Sequence, residues 1–121
     1  MLDFKVKSIV HDYEVNFIDD SLAVLNNEIR DGDVVIMDQK IKELYNAITA
    51  AIPENNLMID IKAHEKQKSY EGLVPIINKL IESGFRKNHR LIGIGGGITQ
   101  DITAFMASIM YRGVNWIFFP T

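Results

Sequence analysis

The stretch Arg90–Asp101, RLIGIGGGITQD, predicts a short buried strand that runs through three consecutive glycines directly into a helix. Glycine has no side chain, so a ligand can approach the main chain closely, and unusual backbone angles cost little. The start of a helix adds unpaired N–H groups and the positive end of the helix dipole. The stretch therefore predicts a site for a phosphate or diphosphate group. The alternative is a purely structural turn, since tight strand-to-helix turns also need glycine.

The usual dinucleotide fingerprint, G-x-G-x-x-G, is only half present. Gly93-Ile94-Gly95 begins the pattern, but Ile98 stands where the last glycine should be. Spacing alone therefore favours phosphate binding without identifying the ligand.

The rest of the chain predicts a parallel sheet. Four apolar runs have the composition of strands covered on both faces: Val34–Met37, Leu57–Ile61, Leu91–Ile94 and Trp116–Phe119. Helical spacing separates them, with apolar stripes at Ile41, Leu44, Tyr45, Ile48 and Ile52, at Leu73, Ile76, Ile77, Leu80 and Ile81, and at Ile98, Ile102, Phe105, Met106, Ile109 and Met110. Alternating strands and helices predict right-handed βαβ units.

Helix ends are predicted at Pro53, Gly84 and Gly113. Pro75 predicts either a helix that starts near Glu71 or a kinked one, because proline disrupts a helix interior.

Before this sheet, Phe4–Val10 and Tyr13–Ile18 alternate as the strands of a hairpin do. Asp19 or Asp20 is placed to cap a helix that carries Leu22, Leu25 and Ile29 on one face. The predicted fold class is therefore α/β, a Rossmann-like parallel sheet flanked by helices and preceded by an N-terminal β-hairpin.

Composition excludes several classes of protein. The chain has 121 residues, a net charge of −3 and no cysteine, which favours one domain without disulfides or a nucleic-acid face. No apolar run reaches the roughly 18 residues of a membrane span, and the N-terminus does not resemble a signal peptide, so a cytoplasmic protein is expected. The three histidines, His11, His64 and His89, lack the spacing of a metal site.

Five separated segments together resemble the 3-dehydroquinate synthase family, in its order and nearly its spacing. They are Gly95–Asp101, Ala104-Phe105, Tyr111–Val114, Phe119–Thr121 and Glu65–Ser69. The chain departs from the family at Gln100, where glycine is usual, at Ala63-His64 and at Gln39-Lys40. These departures leave open a paralogue that acts on another sugar phosphate.

The resemblance implies an N-terminal NAD-binding domain in residues 1–121 of a longer, homodimeric enzyme that cyclises a sugar phosphate with loss of phosphate. The family's divalent zinc lies in a C-terminal helical domain, so no catalytic or metal-ligating residue is expected here. The chain also ends directly after an apolar strand. We therefore expect it to be inactive alone.

The resemblance also implies roles for individual residues. Those expected to bind NAD are Asp38, Glu65, Lys68, Gly95, Gly96, Gly97, Asp101 and Thr121. Arg112 resembles an arginine that reaches the substrate phosphate across a dimer interface, and its planar fork suits phosphate oxygens.

Each charged residue also has an ordinary structural interpretation. Asp38 is placed to cap the next helix, Asp101 suits the positive end of its helix, and Arg112 suits the negative end. Glu65 and Lys68 have opposite charges and could form a solvated ion pair, which would contribute little to stability.

Two other functions remain open. Metal-dependent alcohol and glycerol dehydrogenases share the architecture, but they usually place a lysine shortly after the aspartate, whereas Ile102-Thr103-Ala104 follows Asp101 here. A non-catalytic nucleotide-binding or assembly module would use the apolar edge at Trp116–Phe119, since exposed apolar surface favours association.

Overall fold

A computed structural model of the chain describes residues 4–6, 13–15, 21–62 and 64–120. Strands β1 (Phe4–Val6) and β2 (Tyr13–Val15) pair antiparallel, which confirms the predicted hairpin. The remainder of the two predicted strands and both candidate caps, Asp19 and Asp20, lie outside the described residues.

The main sheet has four parallel strands in the order β4-β3-β5-β6. They are β3 (Val34–Asp38), β4 (Met58–Ile61), β5 (Leu91–Gly95) and β6 (Trp116–Pro120). The helices are α1 (Ser21–Glu28), α2 (Gln39–Leu44), α3 (Asn46–Ala50), α4 (Tyr70–Glu82) and α5 (Gly97–Ile109), with 3₁₀ turns at Glu65–Lys68 and Met110–Arg112. The predicted Rossmann-like α/β fold is confirmed.

The strand order reverses between β3 and β5. The chain first places β4 on one side of β3 and then returns to place β5 on the other side. In open α/β sheets ligands bind at such a reversal, beyond the carboxyl ends of the strands. Met37 pairs with Ile94, so Asp38 and Gly95 end their strands side by side at this point.

Two apolar layers cover the sheet because side chains alternate along each strand. Val34 and Ile36 pack on one face with α4 and α5, and Val35 and Met37 pack on the opposite face with α1 and Ile52. All four side chains are buried. The wholly apolar runs of the sequence are thus explained by burial on both faces.

Helix α5 lies close to β5 because Gly93 has no side chain. A Cβ at Gly93 would lie 2.5 Å from Thr103 Oγ1. Thr99 and Thr103 therefore face the sheet with Ile102 and Met106, and all four are buried. The predicted apolar stripe was wrong for Phe105 and Ile109, which are about half exposed, because the small threonines take the positions nearest the strand.

Helix α4 ends at Glu82 and is capped, as predicted, with the help of Gly84, which adopts a φ of +81°. The Phe85 N–H donates to Leu80 O and the Gly84 N–H donates to Ile81 O, the hydrogen-bond pattern of a Schellman cap. Helix α4 begins at Tyr70, next to the predicted Glu71, but Pro75 lies inside the helix, beyond its first turn. Ile81, predicted on the buried stripe, is exposed because the cap brings Phe85 into the core beside Leu80 instead.

The single helix predicted between β3 and Pro53 is two short helices. Tyr45 adopts non-helical angles, φ −131° and ψ 79°, and separates α2 from α3. The break turns Ile48 and Ile52 toward the sheet and leaves Leu44 and Tyr45 exposed, so the prediction was wrong for those two residues.

A buried ion pair joins the amino ends of β3 and β5. Arg90 Nη2 donates to Asp33 Oδ2 at 2.6 Å, and Arg90 Nη1 donates to Glu28 Oε1 at 2.8 Å. The Asp33 carboxylate also accepts from the Arg30 main-chain N–H. Burial lowers the pKa of Arg90, but its hydrogen bonds to Asp33 and Glu28 outweigh burial and leave that pKa raised. The guanidinium therefore stays charged, and the amino edge of the sheet is fixed by its own residues.

Candidate functional site

The glycine turn lies at the carboxyl edge, where the strand order reverses. Gly95 is buried as the last residue of β5, whereas Gly96 and Gly97 are exposed. Gly96 is the N-cap of α5, and the Gln100 N–H donates to its carbonyl oxygen at 3.0 Å. Because Gly96 has no side chain, it provides no capping hydrogen bond to the N–H groups of the first turn.

The three glycines are required for different reasons. A Cβ at Gly95 would lie 2.6 Å from Thr99 Oγ1, so packing inside the protein excludes a side chain there. Among the described residues, and apart from the backbone of α5 itself, no non-neighbouring atom lies within 4 Å of a Cβ built at Gly96 or Gly97. The main chain at these two positions is open on its outer side. Internal packing of the described residues therefore does not require glycine at Gly96 or Gly97, and the open main chain leaves room for a group such as a diphosphate.

Thr99 lies directly beneath this turn, and no pattern in the sequence indicates a role for it. Its side chain is fully buried, and among the described residues its Oγ1 has no hydrogen-bond partner. Buried hydroxyls are almost always satisfied by protein, water or ligand. A buried hydroxyl without a partner next to Gly95 is consistent with a polar ligand or water at this turn.

Asp38 lies beside the glycine turn, at the end of the neighbouring strand. Its Oδ1 accepts a hydrogen bond from the Lys40 main-chain N–H at 2.9 Å and so caps α2. The ordinary interpretation of Asp38 as a cap is thus observed. The side chain is half-buried at the edge where β3 and β5 end, and the cap holds its carboxylate in one orientation.

Lys68 and Asp101, predicted separately to bind the coenzyme, form an ion pair. Lys68 Nζ lies 2.9 Å from Asp101 Oδ2, and 36% and 62% of the two side chains are exposed. They border an open depression of about 330 Å³, lined on its apolar side by Leu73, Ile102 and Phe105. Lys68 comes from the 3₁₀ turn after β4 and Asp101 from the start of α5, so the fold joins two distant motifs.

The positions of Glu65 and Thr121 follow only from the elements next to them. Glu65 begins the same 3₁₀ turn as Lys68, but its side chain lies outside the described part of the structure. Thr121 also lies outside the described residues. Its neighbour Pro120 ends β6 and pairs with Gly95, so β6 ends at the same edge.

Arg112 lies away from the other predicted site residues. It follows α5 at the end opposite Gly97, and 13 helical residues span about 20 Å. The side chain is exposed and has no hydrogen bond or ion pair with any described residue. The structure therefore does not bring Arg112 to the glycine turn of its own chain.

The described residues contain no group of three or more His, Asp or Glu side chains that could hold a metal ion. Of the histidines, His89 uses Nδ1 to accept from the Arg86 main-chain N–H, and His64 is exposed. His11 lies outside the described residues.

No helix among the described residues combines the length and the apolar character that crossing a membrane requires.

Curated relatives resemble the chain along most of its length. The 3-dehydroquinate synthase of Streptococcus equi subsp. equi (strain 4047) is 32% identical over 97% of this chain and 34% of its own length. That of Saccharolobus solfataricus (strain ATCC 35092 / DSM 1617 / JCM 11322 / P2) is 32% identical over 84% of this chain and 28% of its own length. The chain thus spans about a third of the length of the curated relatives it matches.

Solved structures share the fold at lower sequence identity. A 2-deoxy-scyllo-inosose synthase complexed with carbaglucose-6-phosphate, NAD⁺ and Co²⁺ superposes with a TM-score of 0.79 at 16% identity, over 99% of this chain and 35% of that one. The 2-epi-5-epi-valiolone synthase from Streptomyces hygroscopicus subsp. jinggangensis 5008, with NAD⁺ and Zn²⁺ bound, gives a TM-score of 0.69 at 20% identity, over 89% and 35% of the two chains.

A sequence profile of one protein family matches residues 58–121, which include β4, the Lys68 turn, the glycine turn and β6. That profile describes the N-terminal part of 3-dehydroquinate synthase. With the relatives above, the match shows that this chain belongs to the 3-dehydroquinate synthase N-terminal family.

Proposed function

We propose that residues 1–121 form the NAD-binding portion of a 3-dehydroquinate synthase-like enzyme, which cyclises a sugar phosphate with elimination of phosphate. The observation that carries the proposal is the open main chain at Gly96 and Gly97, which internal packing does not explain. Family membership supports NAD as the ligand, because structural neighbours are described with NAD⁺ bound.

The residues at the carboxyl edge have suitable chemistry for the parts of a dinucleotide. Gly95, Gly96 and Gly97 would lie along the diphosphate, with N–H groups at the start of α5 as donors. The oriented Asp38 carboxylate would accept hydrogen bonds from ribose hydroxyls. Glu65, Lys68, Asp101 and Thr121 would complete the site around the remainder of the molecule.

NAD, when bound, supplies reversible hydride transfer to and from the substrate. The chain's own residues bind and orient. Lys68 and Asp101 carry opposite charges at the border of the depression, so they can each contact a different polar group of a ligand that enters it.

The remaining parts of the proposal concern the whole enzyme. The curated relatives are about three times as long as this chain, and we propose that a C-terminal domain supplies the zinc site and most substrate contacts. We propose a homodimer, in which Arg112 contacts the phosphate of a sugar phosphate bound by the other copy. The length of α5 between Arg112 and the glycine turn supports a contact between copies rather than within one. A cytoplasmic location, as the sequence predicts, completes the proposal.

Isothermal titration of NAD into the chain tests the proposal. We expect saturable binding by the wild type and at least about tenfold weaker binding by Asp101→Ala, because a charge-assisted hydrogen bond is worth about 1.5–3 kcal/mol. Ser108→Ala, an exposed change two turns along α5, is the matched control and should bind as the wild type does. Absence of NAD binding by the wild type would contradict the proposal, as would equal binding by Asp101→Ala.

A further inference from the structure

The turn after α5 is held in an unfavourable backbone conformation. Tyr111 and Arg112 have φ of +50° and +65°, and Gly113 follows with φ of +112°. Left-handed angles are ordinary for glycine but costly for two consecutive residues with side chains. Such conformations persist only where the surroundings determine them, and they concentrate at functional positions.

Lys87 holds this turn from the loop before β5. Its Nζ donates to Tyr111 O at 2.9 Å and to Gly113 O at 3.0 Å. These two carbonyls belong to the residues on either side of Arg112. One ammonium group therefore holds the peptide unit before Arg112 and the peptide unit between Gly113 and Val114.

The end of α4 supplies a second attachment. Tyr111 Oη donates to Phe85 O at 2.7 Å, and the two rings stack with centroids 6.4 Å apart. Phe85 is itself buried in the core by the Schellman cap of α4. The turn is thus attached to a rigid part of the fold.

Ordinary capping of a helix end does not account for Lys87. The last turns of the helix are already closed by the Met110 N–H to Met106 O and the Val114 N–H to Ala107 O. Both carbonyls that Lys87 contacts, Tyr111 O and Gly113 O, lie beyond α5 in the strained turn itself. The side chain between them, Arg112, is exposed and without a partner among the described residues.

We propose that Lys87 is a positioning residue that locks the main chain on both sides of Arg112. These contacts keep the main chain at Arg112 in one conformation, so the guanidinium projects from a fixed position at the end of the domain opposite the glycine turn. The inference rests on the proposed function for its purpose, which is contact with a phosphate bound by a second copy. Whether the turn depends on Lys87 is tested without the coenzyme.

Nuclear magnetic resonance of the isotope-labelled chain tests the lock. Left-handed residues show strong intraresidue cross-relaxation between the amide and α protons, and we expect this signal at Tyr111 and Arg112 in the wild type. Lys87→Met should abolish it at both, and Lys87→Arg should restore it because arginine can donate to two carbonyls. Lys79→Met, which removes an exposed lysine of α4, is the matched control and should retain it.

Limited trypsin digestion gives a second measure. Cleavage between Arg112 and Gly113 should be at least about tenfold faster in Lys87→Met than in Lys79→Met, since two charge-assisted hydrogen bonds are lost. NAD affinity should remain within about twofold, because the glycine turn is about 20 Å away. A left-handed turn that survives Lys87→Met, with unchanged cleavage, would overturn the inference. Failure of the wild type to bind NAD would instead overturn the proposed function.

Discussion

The two ends of the parallel sheet each carry an ion pair, and the two pairs have opposite character. At the amino edge, Asp33 and Arg90 are almost fully buried, with 2% and 8% of their side chains exposed. At the carboxyl edge, Lys68 and Asp101 are 36% and 62% exposed beside an open depression. The first pair has its hydrogen bonds completed by the protein. The second faces space in which a ligand can compete for it.

This contrast separates residues that maintain the fold from residues available for binding. A buried charge without its partner is costly, so the amino edge tolerates little change. A solvated pair contributes little to stability and its members can be redirected at small cost. The same division applies to the glycines, since Gly93 and Gly95 are required by internal packing and Gly96 and Gly97 are not.

The largest expected effect is at the amino edge. Arg90→Met leaves the Asp33 carboxylate buried without its cation, so the free energy of unfolding should fall by about 3–5 kcal/mol. Urea denaturation followed by circular dichroism measures the loss. Arg86→Met, at an exposed position before β5, is the control and should change stability by less than about 0.5 kcal/mol. A loss below about 1 kcal/mol for Arg90→Met would remove the contrast between the two edges.

A smaller effect on stability, with a larger one on binding, is expected at the carboxyl edge. Lys68→Met should lower the free energy of unfolding by less than about 1 kcal/mol, because the pair is solvated. NAD affinity should fall by at least about tenfold if Lys68 contacts the coenzyme. Lys42→Met breaks another exposed pair, with Asp60 at 2.9 Å, and serves as the matched control with unchanged affinity. Equal NAD affinity in all three proteins would exclude Lys68 from the site.

The sequence predicted the sheet well because strands buried on both faces are continuous apolar runs. The polar or glycine residues that flank such a run mark the ends of the strand. Val34–Met37 and Leu91–Ile94 are strands within one residue of their predicted ends. Gly84 was predicted as a cap because its left-handed angle is a property that glycine alone adopts cheaply.

The errors arise where a tertiary contact decides the outcome. Phe105 and Ile109 fit an apolar stripe, but the missing side chain at Gly93 lets Thr99 and Thr103 take the sheet face. The break between α2 and α3 at Tyr45 could not be predicted, because no proline or glycine marks it in the sequence.

The candidate site was predicted residue by residue, but its connections were not. Lys68 was considered beside Glu65, three positions earlier, and the structure adds an ion pair between Lys68 and Asp101, 33 positions later. No local pattern encodes such a pair, nor the Lys87 contacts to the turn at Arg112. No sequence pattern predicted the role of Thr99, because a buried hydroxyl without a hydrogen-bond partner can be identified only from the positions of the surrounding atoms.

The central claim is that a diphosphate lies against the main chain at Gly96 and Gly97, and opposite effects of Gly96→Asp on stability and binding test it most directly. Gly96 is an N-cap with suitable angles, so aspartate there should raise the free energy of unfolding by a few tenths of a kcal/mol. The same carboxylate should repel a diphosphate and weaken NAD binding at least about tenfold more than the neutral Gly96→Asn, which caps equally well. Titration calorimetry on the two variants and the wild type is the measurement. A more stable Gly96→Asp that no longer binds NAD is the predicted result. A Gly96→Asp that binds NAD as tightly as the wild type would contradict the account.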